Sequence, residues 1–245
     1  MKVLYIYHHL GLGDSFICNG IVREFAEKFE KIKVFSKEHN YETIKFMYSD
    51  DLNIEVIPVS GSDQGVYNYI NKLSHSQDKS FQFYVLKVGF ENLWANASDP
   101  NSPSFSLSPS FDVRFYEILG LDFNLRFNKF KVQRDIEREK NFFNLFEVEE
   151  KKYIFVHDDE RFKIDINKIE TKDLKIIKPD INLTPNMFDY CYLIENAKEV
   201  HTIESSFQFM IDSLELNSEN YAHRYPRYLT EGEKPIYKTV KKIIF

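Results

Sequence analysis

Short apolar runs alternate with amphipathic stretches from the start of the chain to residue 59. Residues 3–7 form a run rich in β-formers, as expected for a buried parallel strand. The next stretch carries apolar residues every fourth position: Ile17, Ile21, Phe25 and Phe29. This spacing places one apolar stripe of a helix against a sheet. Further elements are predicted as a strand at 33–36, a helix at 41–48 and a strand at 54–59. The alternation predicts the beginning of a doubly wound α/β fold.

The alternation continues and then restarts after residue 150. In between we expect helices at 66–73 and 111–119, a strand at 81–88 and a long Ser- and Pro-rich loop at 96–110. A charged amphipathic helix at 135–146 is suited to link two domains. The restart comprises strands at 153–156, 175–177 and 200–203, helices at 187–196 and 205–214, and an extended stretch at 221–228. We therefore expect two Rossmann-like domains facing one cleft, residues 1–133 and 134–245.

Composition narrows the classes of partner. The chain of 245 residues has 32 Lys and Arg against 38 Asp and Glu, a net charge of −6, which argues against a nucleic-acid binder that relies on bulk positive charge. Its 2 cysteines cannot build a disulfide framework and lack metal-ligand spacing. The N-terminal apolar run is too short for a signal peptide, and no stretch is long enough to span a membrane. We therefore expect a cytoplasmic protein without a membrane span.

A glycine loop, HHLGLGD at residues 8–14, follows the first predicted strand. Gly11 and Gly13 allow the backbone to approach a ligand closely, next to the free N–H groups of a helix start. The spacing matches neither a dinucleotide fingerprint nor a P-loop, and Asp14 lies where a phosphate would bind. A carboxylate there is suited to accept a proton from a substrate hydroxyl. The alternative is that Asp14 caps a helix that starts near residue 14 or 15. Two histidines, expected to be exposed at the strand end, favour a site: His8 and His9.

The segment HHLGLGDSFICNGIVREF resembles the N-terminal Gly-x-Gly-Asp segment of GT-B glycosyltransferases, especially the ADP-heptose transferase family. In those enzymes the segment ends the first strand, and its Asp is the proposed base that activates the acceptor hydroxyl. The resemblance therefore implies that Asp14 is a catalytic base and that Gly11 and Gly13 shape the loop. The adjoining His8 and His9 are predicted to bind substrate because of their position at the strand end.

Two segments of the second half, YIFVHDD and NMFDYCYLIENAKEVHTIESSFQFMIDSL, resemble the donor-binding half of the same enzymes. There a small-residue turn leads into a helix whose N-terminus meets the sugar-nucleotide diphosphate. The resemblance implies donor contacts at these two places, from His157, Asp158, Glu204, Ser205 and Ser206. Arg161 lies close by in the sequence and is a further candidate, because a guanidinium could balance the charge of a pyrophosphate. Simple N-capping by serine is the alternative for Ser205 and Ser206, and a surface position is the alternative for Arg161. The family signature at this turn is replaced by Glu204-Ser205-Ser206, so the donor sugar stays open.

The expected function is glycosyl transfer from a nucleotide-sugar co-substrate to a glycan or lipid-linked saccharide, without a metal or other cofactor. Three alternatives stay open. Asp158 and Asp159 are similar to the metal-binding motif of GT-A glycosyltransferases, which holds Mg²⁺ or Mn²⁺ on the diphosphate. A non-catalytic nucleotide- or sugar-binding module has the same two-domain pattern, and so does a GT-B epimerase. The basic stretch HRYPR at 223–227 is a further candidate lining of the donor cleft, whereas His201 is expected to be buried in a strand.

Overall fold

The computed structural model describes residues 2–61, 63–74, 82–89, 110–169, 174–224 and 236–244. The chain divides into two compact units, Met1–Gln133 with Thr230–Ile236 and Arg134–Leu229 with Tyr237–Phe245. Two stretches singled out in the sequence lie partly outside the described residues. These are the predicted loop at 96–110, of which residue 110 is described, and the basic stretch at 223–227, of which 223 and 224 are described.

The first unit is built on a four-stranded parallel sheet with the strand order β3-β2-β1-β4. Its elements are β1 (Lys2–Tyr7), α1 (Leu12–Ala26), β2 (Lys31–Lys37), α2 (Tyr41–Met47), β3 (Ile54–Val59), α3 (Asp63–Ser74), β4 (Gln82–Lys87), α4 (Phe111–Glu117) and α5 (Leu125–Asn128). A 3₁₀ turn at Glu38–Asn40 leads into α2. The chain passes from β1 outward to β3 and then returns to the other side of β1. The strand order therefore reverses between β1 and β4.

Helix α1 is fixed to the sheet and to its neighbours by close contacts. Ile17 and Ile21 of the predicted apolar stripe are fully buried. A Cβ at Gly20 would collide with the carbonyl of Leu125, so this glycine lets α5 approach the helix closely. The Tyr116 hydroxyl donates a hydrogen bond to the Ile17 carbonyl at 2.7 Å. These contacts fix the middle of α1 in its place, and the helix starts five residues after the end of β1.

The second unit contains a five-stranded parallel sheet with the order β6-β5-β7-β8-β9. Its elements are α6 (Ile136–Asn144), β5 (Tyr153–His157), β6 (Lys175–Ile177), α7 (Cys191–Glu195), β7 (Glu199–Ile203), α8 (Ser206–Ser213), β8 (Asn220–His223) and β9 (Lys242–Ile244). Short 3₁₀ turns lie at Ile166–Lys168 and Met187–Tyr190. The strand order reverses between β5 and β7. The short strand β9 is not among the predicted elements.

Helix α6 packs within the second unit. Its Phe142 and Phe143 meet the rings of Tyr190 and Tyr192 at centroid distances of 4.8 and 5.3 Å. The helix predicted at 135–146 is therefore present, and its apolar face belongs to the core of this unit. With two parallel sheets flanked by helices, the predicted α/β class is confirmed. Within the described ranges, every helix is too short or too polar to cross a membrane.

Candidate functional site

The predicted site residues lie at the carboxyl edges of the two sheets, at the points where the strand order reverses. Ligands of open α/β sheets bind outside the carboxyl ends of the strands at such points. The residues that follow β1 are His8, His9, Gly11, Gly13 and Asp14. Those that follow β5 are His157, its last residue, with Asp158 and Arg161, and those that follow β7 are Glu204, Ser205 and Ser206.

Asp14 lies in the first turn of α1 but is not its N-cap. The helix begins at Leu12 and Gly11 is the N-cap residue, so the prediction that the helix starts near residue 14 or 15 is wrong. The physical reason is the contact between the cap and the carboxylate: a Cβ at residue 11 would collide with Oδ2 of Asp14. Only glycine leaves room for this side chain to lie over the start of the helix. The Asp14 carboxylate is thereby placed beside the backbone at the end of β1.

The environment of Asp14 favours its protonated form. Burial raises the pKa of this carboxyl to about 7, and the Lys37 ammonium and the backbone N–H groups of Asp14 and Gly11 offset only part of that effect. Lys37 ends β2, the strand next to β1. A carboxyl group with a pKa near 7 holds a proton about half of the time at neutral pH. This is the property that an efficient general base needs.

His8 is buried, contrary to the prediction that it is exposed at the strand end. Its side chain is 1% exposed, and its Nδ1 donates to the His9 carbonyl at 2.6 Å. Burial lowers the pKa of His8 to about 4, so the ring is neutral at physiological pH. Its Nε2 has no hydrogen-bond partner among the described residues. Parallel sheets are covered on both faces, and a residue directly after the central strand β1 stays within that cover.

His9 is partly buried beside the end of β4. Its ring stacks on Phe115, with the ring centroids 6.0 Å apart. Gly89, two residues after β4, has a φ of 88° and lies so close that a Cβ there would come within 2.9 Å of His9 Cδ2. The glycine is therefore required both by its backbone conformation and by the space that His9 occupies. The segments that follow β1 and β4, the strands on either side of the reversal point, therefore come close together at His9 and Gly89.

At the second edge, one contact joins the ends of β5 and β7. The Ser205 hydroxyl lies 2.9 Å from His157 Nδ1, within hydrogen-bond distance. The His157 ring also packs on Phe207, with centroids 4.6 Å apart. The predicted helix start at Ser205-Ser206 is confirmed, since α8 begins at Ser206 with Ser205 as its N-cap residue. The alternative that the Ser205 side chain caps this helix is wrong, because its hydroxyl contacts His157 and makes no capping hydrogen bond.

The two carboxylates after β5 are used to shape their own loop. Asp158 accepts hydrogen bonds from Lys178 Nζ at 2.7 Å and from the Ile164 N–H at 3.1 Å. Burial opposes its ionisation, but these two contacts outweigh it and lower the pKa of Asp158. Asp159 accepts from the backbone N–H groups of Arg161 and Phe162 at 2.9 and 2.8 Å. The side chain of Arg161 is exposed.

These contacts weigh against the metal-binding alternative for Asp158 and Asp159. A cation bridging both carboxylates would compete with a lysine and with three backbone N–H groups. Across the part of the chain that the structure describes, no three His, Cys, Asp or Glu side chains form a group that could hold a metal ion.

Sequence reasoning gave Arg224 no individual role, although it follows β8 directly. Its Nε lies 3.6 Å from Glu204 Oε1, and the Tyr237 hydroxyl donates to the same oxygen at 3.3 Å. The available signal was the basic stretch that starts at His223. The predicted burial of His201 is confirmed: its Nε2 and Nδ1 lie 3.1 Å from Glu199 Oε2 and 3.0 Å from His223 Nε2.

Comparison with solved structures identifies the fold. The glycosyl transferase family 9 protein from Veillonella parvula matches all of this chain and 85% of its own, with 8% identity and a TM-score of 0.58. The ADP-heptose LPS heptosyltransferase II of E. coli matches all of this chain and 93% of its own, with 13% identity and a TM-score of 0.50. No family model and no curated protein sequence matches the chain. At these identities the likeness establishes the fold, and the predicted resemblance to this group of glycosyltransferases is confirmed at that level.

Proposed function

We propose that the protein transfers a glycosyl group from a nucleotide-sugar to a hydroxyl of a saccharide, either a glycan or a lipid-linked sugar. The observation that carries the proposal is Asp14, a partly buried carboxyl whose pKa burial raises to about 7, at the reversal point of the first sheet. The likeness in fold to a family 9 glycosyl transferase and to an ADP-heptose heptosyltransferase supports the reaction class. A fold alone is compatible with many activities, so the residues at the two edges have to supply the chemistry.

In the proposed reaction Asp14 takes the proton of the acceptor hydroxyl while the hydroxyl oxygen bonds to the anomeric carbon of the donor. The bond from that carbon to the diphosphate oxygen breaks, and the nucleoside diphosphate leaves with the electron pair. A base whose pKa is close to the working pH is both unprotonated often enough and strong enough to assist. The first unit, residues 1–133, is then the acceptor side. His8, His9, Gly11 and Gly13 form the surroundings of the base.

The second half, residues 134–245, is proposed to hold the donor. The start of α8 offers the N–H groups and positive end of a helix, together with the hydroxyl groups of Ser205 and Ser206. His157 lies against Ser205 and extends this polar edge to the end of β5. Helix dipole and side-chain donors can stabilise a leaving diphosphate. We include in the proposal that transfer does not need a divalent cation, since Asp158 and Asp159 are engaged in their loop.

A thermal-shift screen against ADP, GDP, UDP, CDP and TDP tests the donor half of the proposal. A ligand that binds only the folded protein raises its melting temperature, so at least one nucleotide is expected to do so. The corresponding nucleotide-sugars, incubated with saccharide acceptors and excess EDTA, are expected to release nucleoside diphosphate at the rate seen without EDTA. No shift with any nucleotide would contradict the proposal. Strict dependence on Mn²⁺ would contradict only its metal-independent part.

A further inference from the structure

Glu204 and Arg224 lie side by side at the carboxyl edge of the second sheet. Strands β7 and β8 are parallel neighbours, and their register pairs Ile203 with His223. The next residue along each strand is therefore Glu204 on one and Arg224 on the other. Glu204 directly precedes Ser205, the N-cap residue of α8. The pair thus borders the helix start that is proposed to receive the donor diphosphate.

The guanidinium of Arg224 is held from two sides. Its Nε is 3.6 Å from Glu204 Oε1, and its central carbon lies 5.6 Å from the ring centroid of Tyr237. The Tyr237 hydroxyl donates to the same Glu204 oxygen at 3.3 Å, which closes a triangle of contacts. The side chains of Arg224 and Glu204 are only 9% and 16% exposed. The positive charge of Arg224 is therefore fixed in position and largely shielded from solvent.

The carboxylate of Glu204, directly before the start of α8, would by itself repel a diphosphate. The guanidinium of Arg224 offsets this negative charge. The distance of 3.6 Å from Arg224 Nε to Glu204 Oε1 is that of an ion pair and exceeds the length of an N–H···O hydrogen bond. A guanidinium presents its N–H donors in a planar fork, a geometry that matches two oxygens of a phosphate.

We propose that Arg224 is a donor-binding residue that contacts the diphosphate of the nucleotide-sugar, and that Glu204 and Tyr237 are positioning residues that hold its guanidinium. The inference rests on the proposed function, because it needs a nucleotide diphosphate at this edge. It replaces the direct donor contact that the sequence predicts for Glu204 with an indirect one. In the transfer step Arg224 stabilises the charge that develops on the departing diphosphate.

The test is isothermal titration of the full chain with the nucleoside diphosphate that gives the largest thermal shift, and with the monophosphate of the same nucleoside. The wild-type protein should bind the diphosphate more tightly. Arg224→Gln should weaken diphosphate binding by about 10- to 100-fold, the usual value of a hydrogen-bonded charge, and change monophosphate binding by less than about threefold. Arg224→Lys keeps the charge without the fork and should cause a smaller loss of the same kind. Arg138→Gln is the matched control, since Arg138 also pairs with a carboxylate, that of Asp189 in the same unit.

The outcomes separate the two proposals. If no nucleotide binds the wild-type protein, the proposed function and this inference both fail. If the wild-type protein prefers the diphosphate and R224Q keeps that preference, only the role of Arg224 is overturned. A merely structural role for Arg224 would weaken binding of both nucleotides alike, and that result also overturns it. Should R224Q fail to fold, R224K decides the question by the same comparison.

Discussion

Asp14 and Asp158 occupy comparable places in the two units, and their carboxyl groups behave in opposite ways. Each follows the first strand of a parallel sheet, at the edge where the strand order reverses. Burial opposes the ionisation of both. Asp158 has Lys178 Nζ at 2.7 Å and a backbone N–H at 3.1 Å, which lower its pKa. For Asp14 the Lys37 ammonium and two backbone N–H groups are too weak to reverse the effect of burial, and its pKa is about 7.

Of the two carboxylates, only that of Asp14 is basic enough to act as a general base near neutral pH. A carboxylate bound by an ammonium group and backbone N–H groups is a weak base, because those contacts favour its charged form. It serves to hold a loop. A carboxylate for which burial outweighs such contacts has a raised pKa, so it is a stronger base and can accept a proton near neutral pH. Both aspartates follow a strand, so their position does not distinguish them. Their burial and contacts do, and they identify Asp14 as the candidate base and Asp158 as a residue that holds its loop.

The largest expected effect is on turnover when Asp14 loses its basicity. Asp14→Asn should lower the transfer rate by about 10²- to 10⁴-fold, the contribution of a general base. The thermal shift with the nucleoside diphosphate should stay within error, because the donor is assigned to the other unit. Asp135→Asn is the matched control, since the Asp135 side chain caps the exposed start of α6 and should tolerate the change. Transfer by a folded Asp14→Asn protein at close to the wild-type rate would remove the catalytic role of Asp14.

A second variant sharpens the comparison by moving the Asp14 carboxylate without removing it. Gly11→Ala places a methyl group against Oδ2 of Asp14, so the carboxylate must shift. A displacement of about 1 Å at a reacting group costs roughly 10²-fold in rate, and we expect a loss of about 10- to 100-fold in turnover. The same change made in the Asp14→Asn background should have little further effect, because the two residues act as one unit. A full additive loss in the double variant would show that Gly11 acts independently of Asp14.

The two aspartates should affect the pH dependence of stability with opposite signs. Below about pH 4 Asp14 is protonated in both the folded and the unfolded states. Between about pH 4 and 7 only the unfolded state loses the proton, so the free energy of unfolding falls as the pH rises. Asp14→Asn removes this penalty, so in urea unfolding the variant should be more stable than the wild type at pH 8, by a few kcal/mol at most, and should match it near pH 4.

Asp158→Asn provides the opposite case. The lowered pKa of Asp158 contributes stability above the unfolded-state pKa, and this contribution is lost as the pH falls through the folded-state pKa. The Asn variant should therefore be less stable than the wild type at pH 8 and closest to it at low pH. If Asp14→Asn is also less stable than the wild type at pH 8, then ionisation of Asp14 does not destabilise the folded protein.

The smallest effect is expected when the cation beside Asp158 is removed. Lys178→Met removes the ammonium group that is hydrogen-bonded to Asp158 and leaves the Lys163 ammonium and the Ile164 N–H, so the pKa of Asp158 should rise. The Lys178 side chain is 41% exposed, and the loss of stability at neutral pH should be about 1 kcal/mol or less. Urea unfolding measures the loss, and an unchanged pKa of Asp158 in a carboxyl titration would show that Lys163 and the Ile164 N–H are sufficient.

The sequence predicts the features that depend on near neighbours. The apolar run of β1, the buried positions of Ile17 and Ile21 and the start of α8 at Ser205-Ser206 all follow from local spacing. The start of α1 does not, because the capping rules favour Asp or Ser, and the cap is a glycine that makes room for Asp14.

Contacts between residues that are far apart in the sequence cannot be predicted from local spacing. Asp158 meets Lys178 and Glu204 meets Arg224, each pair 20 residues apart, and only the sheet order brings them together. The burial of His8 also depends on the tertiary fold, since β1 is a central strand of a parallel sheet that is covered on both faces. The prediction of Asp14 as a candidate base came from its position, whereas its raised pKa requires knowledge of everything packed around it.

A general base at Asp14 requires a carboxyl group with a pKa near 7 in the folded protein. Titration of the aspartate side-chain ¹³C resonances by NMR between pH 3 and 9 measures this directly, with Asp14→Asn and Asp158→Asn to assign the two signals. We expect a midpoint for Asp14 at about 7 and a midpoint for Asp158 below the ordinary aspartate value. A midpoint for Asp14 at or below the ordinary value would contradict the account.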